Sequence, residues 1–138
     1  MNFTHLHVHT EYSLLDGSNK IKEYVDRVKE LGMDSAAITD HGVMYGVIDF
    51  YRAARAAGIN PILGCEVYVA PGSRFDRETG SGEDRYYHLV LLAENNQGYS
   101  NLMKIVSKGF VEGFYYKPRV DLQLLEKYHE GIIALSAC

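Results

Sequence analysis

The segment His5–Gly17 reads HLHVHTEYSLLDG and holds three of the chain's six histidines. His5, His7 and His9 stand at alternate positions, and the carboxylate of Asp16 follows shortly after them. Residues at positions i, i+2 and i+4 of an extended strand point to the same face. We therefore expect an opening strand whose three imidazoles project together, an arrangement that either packs unusually or binds something.

The composition of the chain limits the classes of protein that it can belong to. Its 138 residues are 46% hydrophobic and carry a formal net charge of −4, which suits one globular domain with a core. A domain that binds nucleic acid by phosphate neutralisation alone is normally basic, so any such contact is expected to be local or supplied by a neighbouring domain. Two cysteines, no secretory leader and no apolar run of membrane-spanning length predict a soluble, cytoplasmic protein.

Hydrophobic patterning predicts strands that alternate with helices. A helix is expected over residues 18–34, capped by Ser18 or Asn19, because apolar residues recur there at helical spacing. Further helices are predicted at 43–58, 98–110 and 122–129, and Asp121 is expected to cap the last. Strands are predicted at 35–41, 60–71, 86–93 and 131–138. The polar residues 71–85 are predicted to form a solvated loop. Such alternation favours an α/β protein with right-handed βα units around a largely parallel sheet.

Residues of metal-ligand type lie where the predicted strands end. In βα proteins the C-terminal ends of the strands and the loops after them form the active face. His41 follows the second predicted strand, Glu66 lies in the third, and Cys138 ends the last. Imidazole and carboxylate ligands suit zinc, manganese or iron, and a thiolate favours zinc. We therefore predict that these residues converge with the histidines and the carboxylate of the opening segment on one metal site.

His88 opens its predicted strand instead of ending it. A parallel strand would therefore place this histidine at the wrong end of the sheet. An antiparallel hairpin of residues 66–70 and 85–90, formed around the polar loop, would bring His88 back beside Glu66. We adopt this hairpin as the prediction for the segment.

Several residues near these motifs leave two interpretations open. His5 shares a face with the other two histidines but lies furthest from the end of the strand, so it is either a metal ligand or a structural residue. Asp40 either orients the ring of His41 from behind or caps the next helix. Lys117 and Arg119, in the stretch FYYKPRVD, either bind a phosphate-bearing substrate or belong to an exposed loop.

The order and the wording of the motifs match a known pattern. HLHVHTEYSLLDG, ITDHG, GCEVYV, YYHLVLLAEN and FYYKPRVD resemble the PHP (polymerase and histidinol phosphatase) domain, and more narrowly the one at the N-terminus of bacterial DNA polymerase III alpha subunits. The resemblance covers residues 1–138 and implies a distorted (β/α)7 barrel, of which this chain would be the N-terminal part. The ligands that it implies, for up to three zinc or manganese ions, are His7, His9, Asp16, His41, Glu66, His88 and Cys138.

The resemblance also implies an activity and partners. The domain would be a metal-dependent phosphoesterase within a replicative polymerase, acting through a metal-activated water as a proofreading 3′–5′ exonuclease or as a pyrophosphatase. The catalytic residues of the polymerase would lie in later domains. DNA, reached through the complete polymerase, and other replicase subunits would be the partners. The alternative is a catalytically silent module that braces the polymerase and docks a separate proofreading exonuclease.

Overall fold

The computed structural model describes residues 3–77 and 86–137. The helices are α1 (Ile21–Glu30), α2 (Val47–Ala57), α3 (Asn96–Val111) and α4 (Leu122–Tyr128), and the strands are β1 (Ser35–Ile38), β2 (Asn60–Val69), β3 (Tyr87–Ala93), β4 (Phe114–Tyr115), β5 (Lys117–Val120) and β6 (Ile132–Ser136). Cys138 and most of the predicted polar loop lie outside the described residues. Within the described ranges, no helix is long and apolar enough to cross a membrane.

The long strand β2 organises the sheet. β1 pairs with its first half in parallel, and β5 pairs in parallel with its last residues. β3 runs antiparallel along residues 64–69 of β2 and carries β6, also antiparallel. The strand order is β4-β5-β2-β3-β6, with β1 beside β2. The predicted α/β class is confirmed, but the prediction of a largely parallel sheet is wrong, because β3 folds back along β2 and β6 follows it.

Residues 3–9 do not form the regular strand that the alternating histidines predict. The segment lies beside β1, where the Thr39 N–H donates to the Val8 carbonyl at 2.8 Å. The Val8 N–H, however, donates to the hydroxyl of Thr39 at 2.8 Å and not to a backbone carbonyl. A side chain that takes the place of a backbone partner competes with the ladder of a sheet. The segment is therefore tied to the sheet without joining it as a strand.

The two predicted helix caps have different outcomes. α1 begins at Ile21 without a side-chain cap, so the prediction of a cap by Ser18 or Asn19 is wrong. The Asn19 amide donates instead to a backbone carbonyl of the opening segment, and the Glu11 carboxylate accepts the N–H of Ile21 at 3.3 Å. The predicted cap of α4 is confirmed, because the carboxylate of Asp121 accepts a backbone N–H of the first turn at 2.9 Å.

Two apolar clusters hold the helices on the sheet. One joins α1 and α2 to β1, and Phe50 lies at its centre with no exposed surface. The other joins α3 and α4 to β2 and β3, around Leu102 and Ile105. The stretch FYYKPRVD, which was interpreted either as an exposed loop or as a substrate contact, forms the tight β4–β5 hairpin. This hairpin attaches to the end of β2, close to the histidines described next.

Candidate metal centre

Strand register brings residues from distant parts of the sequence to one point. The parallel pairing of β1 with β2 continues beyond β1 and sets His41 opposite Glu66. The Gly42 N–H donates to the Glu66 carbonyl at 2.8 Å, which fixes this register. On the other edge of β2, the pairing of β3 sets His88 opposite Tyr68 and therefore diagonal to Glu66 on the same face. The predicted hairpin that returns His88 to Glu66 is confirmed.

Glu66 lies at the centre of the site. Its side chain is 1% exposed and is surrounded by four imidazole rings. Its Oε2 contacts His7 Nε2 and lies 2.8 Å from His9 Nε2. Its Oε1 lies 3.0 Å from His41 Nδ1 and 2.6 Å from His88 Nδ1. The two histidines of the opening segment thus approach one oxygen, and the two from the sheet approach the other.

Asp16 supplies a second carboxylate at the mouth of the site. Its side chain is 60% exposed, and its Oδ2 lies 2.5 Å from His41 Nε2 and 3.1 Å from His9 Nδ1. His9 and His41 therefore direct both of their ring nitrogens at carboxylate oxygens. A neutral imidazole has one N–H to donate. In each ring, then, one nitrogen is free of a proton and available as a ligand unless the ring is charged.

The buried atoms of the site show how well the residues fit a cation. Nδ1 of His41, Oε1 of Glu66 and Nδ1 of His88 are close together and buried, yet they form no hydrogen bond with one another. Three groups each offer ligand atoms within 4.8 Å of one another: His7, His9 and Glu66; His9, Asp16 and His41; and His41, Glu66 and His88. Imidazole nitrogens and carboxylate oxygens are the ligands of zinc and related divalent metals. The donor set therefore fits such ions.

Both carboxylates are held in their charged form. Burial raises the pKa of Glu66, but hydrogen bonds from His7 and His9 and the charges of the other two histidines outweigh it, so the net pKa is lowered. The pKa of Asp16 is lowered mainly by the hydrogen bond from His41. An ionised carboxylate is the form that coordinates a cation. Both groups are therefore ready to bind metal at neutral pH.

Asp40 holds the loop that carries Asp16. Its buried carboxylate accepts the Thr10 N–H at 2.6 Å, the Thr10 hydroxyl at 2.8 Å and the Ser13 hydroxyl at 2.7 Å. The Ser13 oxygen in turn accepts the N–H of His41 at 3.1 Å. Neither predicted role of Asp40 is correct: its oxygens hold the loop and not the imidazole of His41, and α2 begins several residues later.

His5 lies outside the groups that could hold an ion. Its side chain is exposed, its ring packs edge-on against Phe3 with the centroids 4.7 Å apart, and it belongs to none of the three ligand groups. The structure therefore decides against the ligand interpretation of His5. Cys138, the seventh residue predicted to bind metal, lies outside the described residues.

Lys117 and Arg119 separate into different environments. The Lys117 ammonium lies 5.5 Å from the ring of Tyr68, beside the histidines. The Arg119 side chain is fully buried, and its guanidinium donates to the carbonyls of Asp76 at 2.5 Å and Gly113 at 3.3 Å. Arg119 therefore braces the chain around β5 and is not available to a substrate, which corrects its prediction as a substrate-binding residue.

Sequence reasoning missed Tyr68. Its ring stacks 6.3 Å from His41 and meets His88 edge-on at 5.2 Å. Gly42 makes room for it: the residue has φ +65°, and a Cβ there would lie 2.8 Å from the tyrosine ring. Burial raises the pKa of Tyr68 to about 12, so its phenol keeps its proton at neutral pH. The available signal was its position two residues after Glu66, on the same face of β2.

Comparison with known proteins agrees with the geometry. Residues 5–138 match the family model of the PHP domain. The chain is 53% identical over 138 residues to the DNA polymerase III subunit alpha of Treponema pallidum, 51% identical over 142 residues to that of Aquifex aeolicus and 48% identical over 141 residues to that of Thermus aquaticus. The matches take in 99–100% of this chain but 12% of each relative. The chain thus spans a small part of the length of these relatives.

Solved structures share part of the fold. An amidohydrolase from Chromobacterium violaceum, with bound sulfate and no metal, matches with a TM-score of 0.51 and 26% identity over 76% of this chain and 34% of that one. A candidate metal-dependent phosphoesterase from Bifidobacterium adolescentis matches with a TM-score of 0.52 and 21% identity over 80% of this chain and 35% of that one. At 21% identity, the likeness to the phosphoesterase shows a shared fold and nothing more.

Proposed function

Because the chain belongs to the PHP domain family, we propose that it is a metal-dependent phosphoesterase domain of a replicative DNA polymerase. The observation that carries this proposal is the buried Glu66 carboxylate surrounded by four imidazoles, with Asp16 beside it. Hydroxyl and N–H groups satisfy the buried carboxylate of Asp40, but the groups around Glu66 are all imidazoles, which also bind metal. Four histidines that converge on it from three segments are better explained by metal binding.

The ligands that we propose are six of the described residues and one beyond them. They are His7, His9, Asp16, His41, Glu66 and His88, with Cys138 as the seventh, for up to three zinc or manganese ions. When bound, such ions supply a water of lowered pKa and positive charge for the oxygens of a phosphoester. With four neutral imidazoles and two carboxylates, the described donor set leaves two or more divalent ions with net positive charge, which favours an anionic substrate.

The residues around the ligands have their own proposed parts. Lys117, the cation beside Tyr68, would attract a substrate phosphate to the histidine side of the site. The phenol of Tyr68 keeps its proton, so it can donate a hydrogen bond but does not add negative charge. Asp40 acts indirectly, because it holds the loop of Asp16 in place through hydrogen bonds with Thr10 and Ser13.

The substrate and the setting are proposed from the relatives. The reaction would be 3′–5′ removal of nucleotides or hydrolysis of pyrophosphate. It would take place in the cytoplasm, within a polymerase that holds the DNA and binds the other replicase subunits. Residues 1–138 would be the N-terminal part of a PHP-type (β/α)7 barrel. Docking of a separate proofreading exonuclease is the role that would remain if the site binds metal without hydrolysing phosphoesters.

The test is hydrolysis under defined metal conditions. The chain, freed of metal and then supplied with manganese or zinc, is assayed on bis(p-nitrophenyl) phosphate, a single-stranded oligonucleotide and pyrophosphate, alongside Glu66→Gln. We expect turnover that requires the metal and falls at least about 100-fold in Glu66→Gln, since losing even an outer partner of a metal ligand costs about 10–100-fold. The control is Glu23→Gln on the exposed face of α1.

Two results would contradict the proposal. Equal turnover in Glu66→Gln and in the unsubstituted chain would show that the activity arises elsewhere, for example from a contaminating nuclease. Bound metal with no turnover on any of the three substrates would favour the silent module that docks an exonuclease. Comparing the three substrates also separates nuclease activity from pyrophosphatase activity.

A further inference from the structure

A cavity of about 430 Å³ opens directly beside the proposed ligands. Its size lies in the range of small-molecule sites, and its wall is mainly polar. Its lining includes His5, His7, His9, Asp16, Ser18 and Asn19. All three histidines of the opening segment thus face one space, although only two of them reach Glu66.

Most polar side chains of this wall already have partners. The Asn19 amide donates to the His9 carbonyl at 2.9 Å, and the Tyr24 hydroxyl donates to the Ala37 carbonyl at 3.1 Å. Asp16 is engaged by His9 and His41. Over the described ranges, the side chains of His5 and Ser18 form no hydrogen bond, and both are exposed to the cavity side of the segment.

We propose that His5 and Ser18 bind a phosphate oxygen of the substrate in this cavity, next to the metal ligands; this inference rests on the proposed function. His5 would be a substrate-binding residue and not a ligand. An imidazole donates an N–H in its neutral form as well as in its charged form, so the contact does not depend on titration. The Ser18 hydroxyl supplies a second donor to the same anion.

The charges of the cavity favour an anion over other ligands. Asp16 is the one carboxylate among the lining residues, and the rings of His9 and His41 already contact it. Metal ions on His7, His9 and Asp16 would make this wall positive. A phosphate group could then contact the metal side with one oxygen and His5 with another, which orients the bond to be broken. The His5 ring itself packs edge-on against Phe3.

The experiment measures binding of inorganic phosphate, the simplest anion of this class, to the metal-loaded protein by isothermal titration calorimetry. The variants are His5→Ala and Ser18→Ala, with His129→Ala as the matched control at the far end of α4. Asn and Gln carry an amide N–H near the positions of the two ring nitrogens, so His5→Asn and His5→Gln test rescue. Metal content is measured on every sample by elemental analysis.

We expect His5→Ala and Ser18→Ala each to weaken phosphate binding about three- to tenfold, the loss of one hydrogen bond, with unchanged metal content. At least one of the two amide variants should restore most of the affinity, and His129→Ala should match the unsubstituted protein. Phosphate affinity equal in His5→Ala and the unsubstituted protein would overturn the inference, as would loss of metal from His5→Ala. Because phosphate binding is measured without turnover, a failure of the proposed hydrolysis would be distinguishable from a failure of this inference.

Discussion

At the scale of single residues, the site depends on one buried carboxylate. Glu66 is placed by strand register, and the imidazoles reach it from the opening segment, from the end of β1 and from β3. Its charge is costly to bury, and the hydrogen bonds and charges of the histidines more than offset that cost, as the lowered pKa shows. The carboxylate that we propose as the central ligand is therefore charged in the folded chain.

Asp40 gives a prediction about how the loop of Asp16 is held. Asp40→Asn replaces one acceptor oxygen by a donor amide that faces the N–H and hydroxyl of Thr10 and the hydroxyl of Ser13. We expect the free energy of unfolding to fall by about 1–3 kcal/mol, because buried donors lose their acceptor. Urea unfolding checks this, with the exposed Asp26→Asn as control. An equal midpoint for the two variants would show that the network contributes little.

The sequence allowed part of the convergence of the proposed ligands to be predicted, for a physical reason. His41 follows the rule that the ends of parallel strands meet at one edge, and a hairpin accounts for His88, whereas His7 and His9 reach the site from a segment that is not a strand. The partners of Asp40 were not predictable, because Thr10 and Ser13 reach it through a loop whose path no periodicity encodes. Hydroxyl groups in loops take whichever acceptor the fold brings near them.

At the scale of elements, the packing of α3 depends on its close approach to the turn just before β6. A Cβ on Gly98 would lie 1.8 Å from the carbonyl oxygen of Gly131, so the helix can lie against this turn only with glycine there. The predicted helix at 98–110 is confirmed, though it begins at Asn96, where Asn95 caps it by accepting the Gly98 N–H at 2.9 Å. The β4–β5 hairpin was missed because strands of two and four residues are too short to show alternation.

Gly98→Ala tests this packing. Alanine in a helix is normally more favourable than glycine by about 0.5–1 kcal/mol, yet here we expect destabilisation by about 1–3 kcal/mol. The reversed sign follows from the clash with Gly131. Thermal and urea unfolding measure it, with Ser107→Ala on the exposed side of the same helix as the control. A Gly98→Ala chain more stable than the original would refute the close approach.

The end of α3 also predicts a pH dependence. The pKa of Glu112 is lowered, first by the hydrogen bond from Lys108 and then by that from Arg74. A carboxyl whose folded pKa lies below its ordinary 4.5 stabilises the fold above that pH, and this contribution is lost as the pH falls through the folded pKa. Urea unfolding from pH 6 to pH 3 should thus show a shallower acid loss in Glu112→Gln. Parallel curves for the two chains would contradict the ion pairs.

At the scale of the whole molecule, the sheet ends in a weakly covered strand. β6 is last in the strand order, none of its residues is buried, and Ile133 is 44% exposed. Strands with exposed apolar residues at a sheet edge promote association. The overall strand order was not predictable from patterning, because the pairing of β2 with three strands depends on contacts between distant segments. The seven-stranded barrel stays a prediction.

The edge strand predicts self-association of the isolated chain. We expect concentration-dependent oligomers in sedimentation velocity, reduced by Ile133→Lys, because a charge on the strand opposes pairing with a second edge. Leu31→Lys, at an exposed apolar residue next to α1, is the control and should leave association unchanged. A monomeric chain at all concentrations would show that β6 is adequately protected.

Elemental analysis after gel filtration tests whether the cluster around Glu66 binds divalent metal. The chain is loaded with zinc or manganese and compared with the double variant His7→Ala/His9→Ala, and with His129→Ala as a histidine control. We expect two or more ions per chain, sharply reduced in the double variant and unchanged in the control. Less than one ion per chain, or equal metal in all three proteins, would contradict the account.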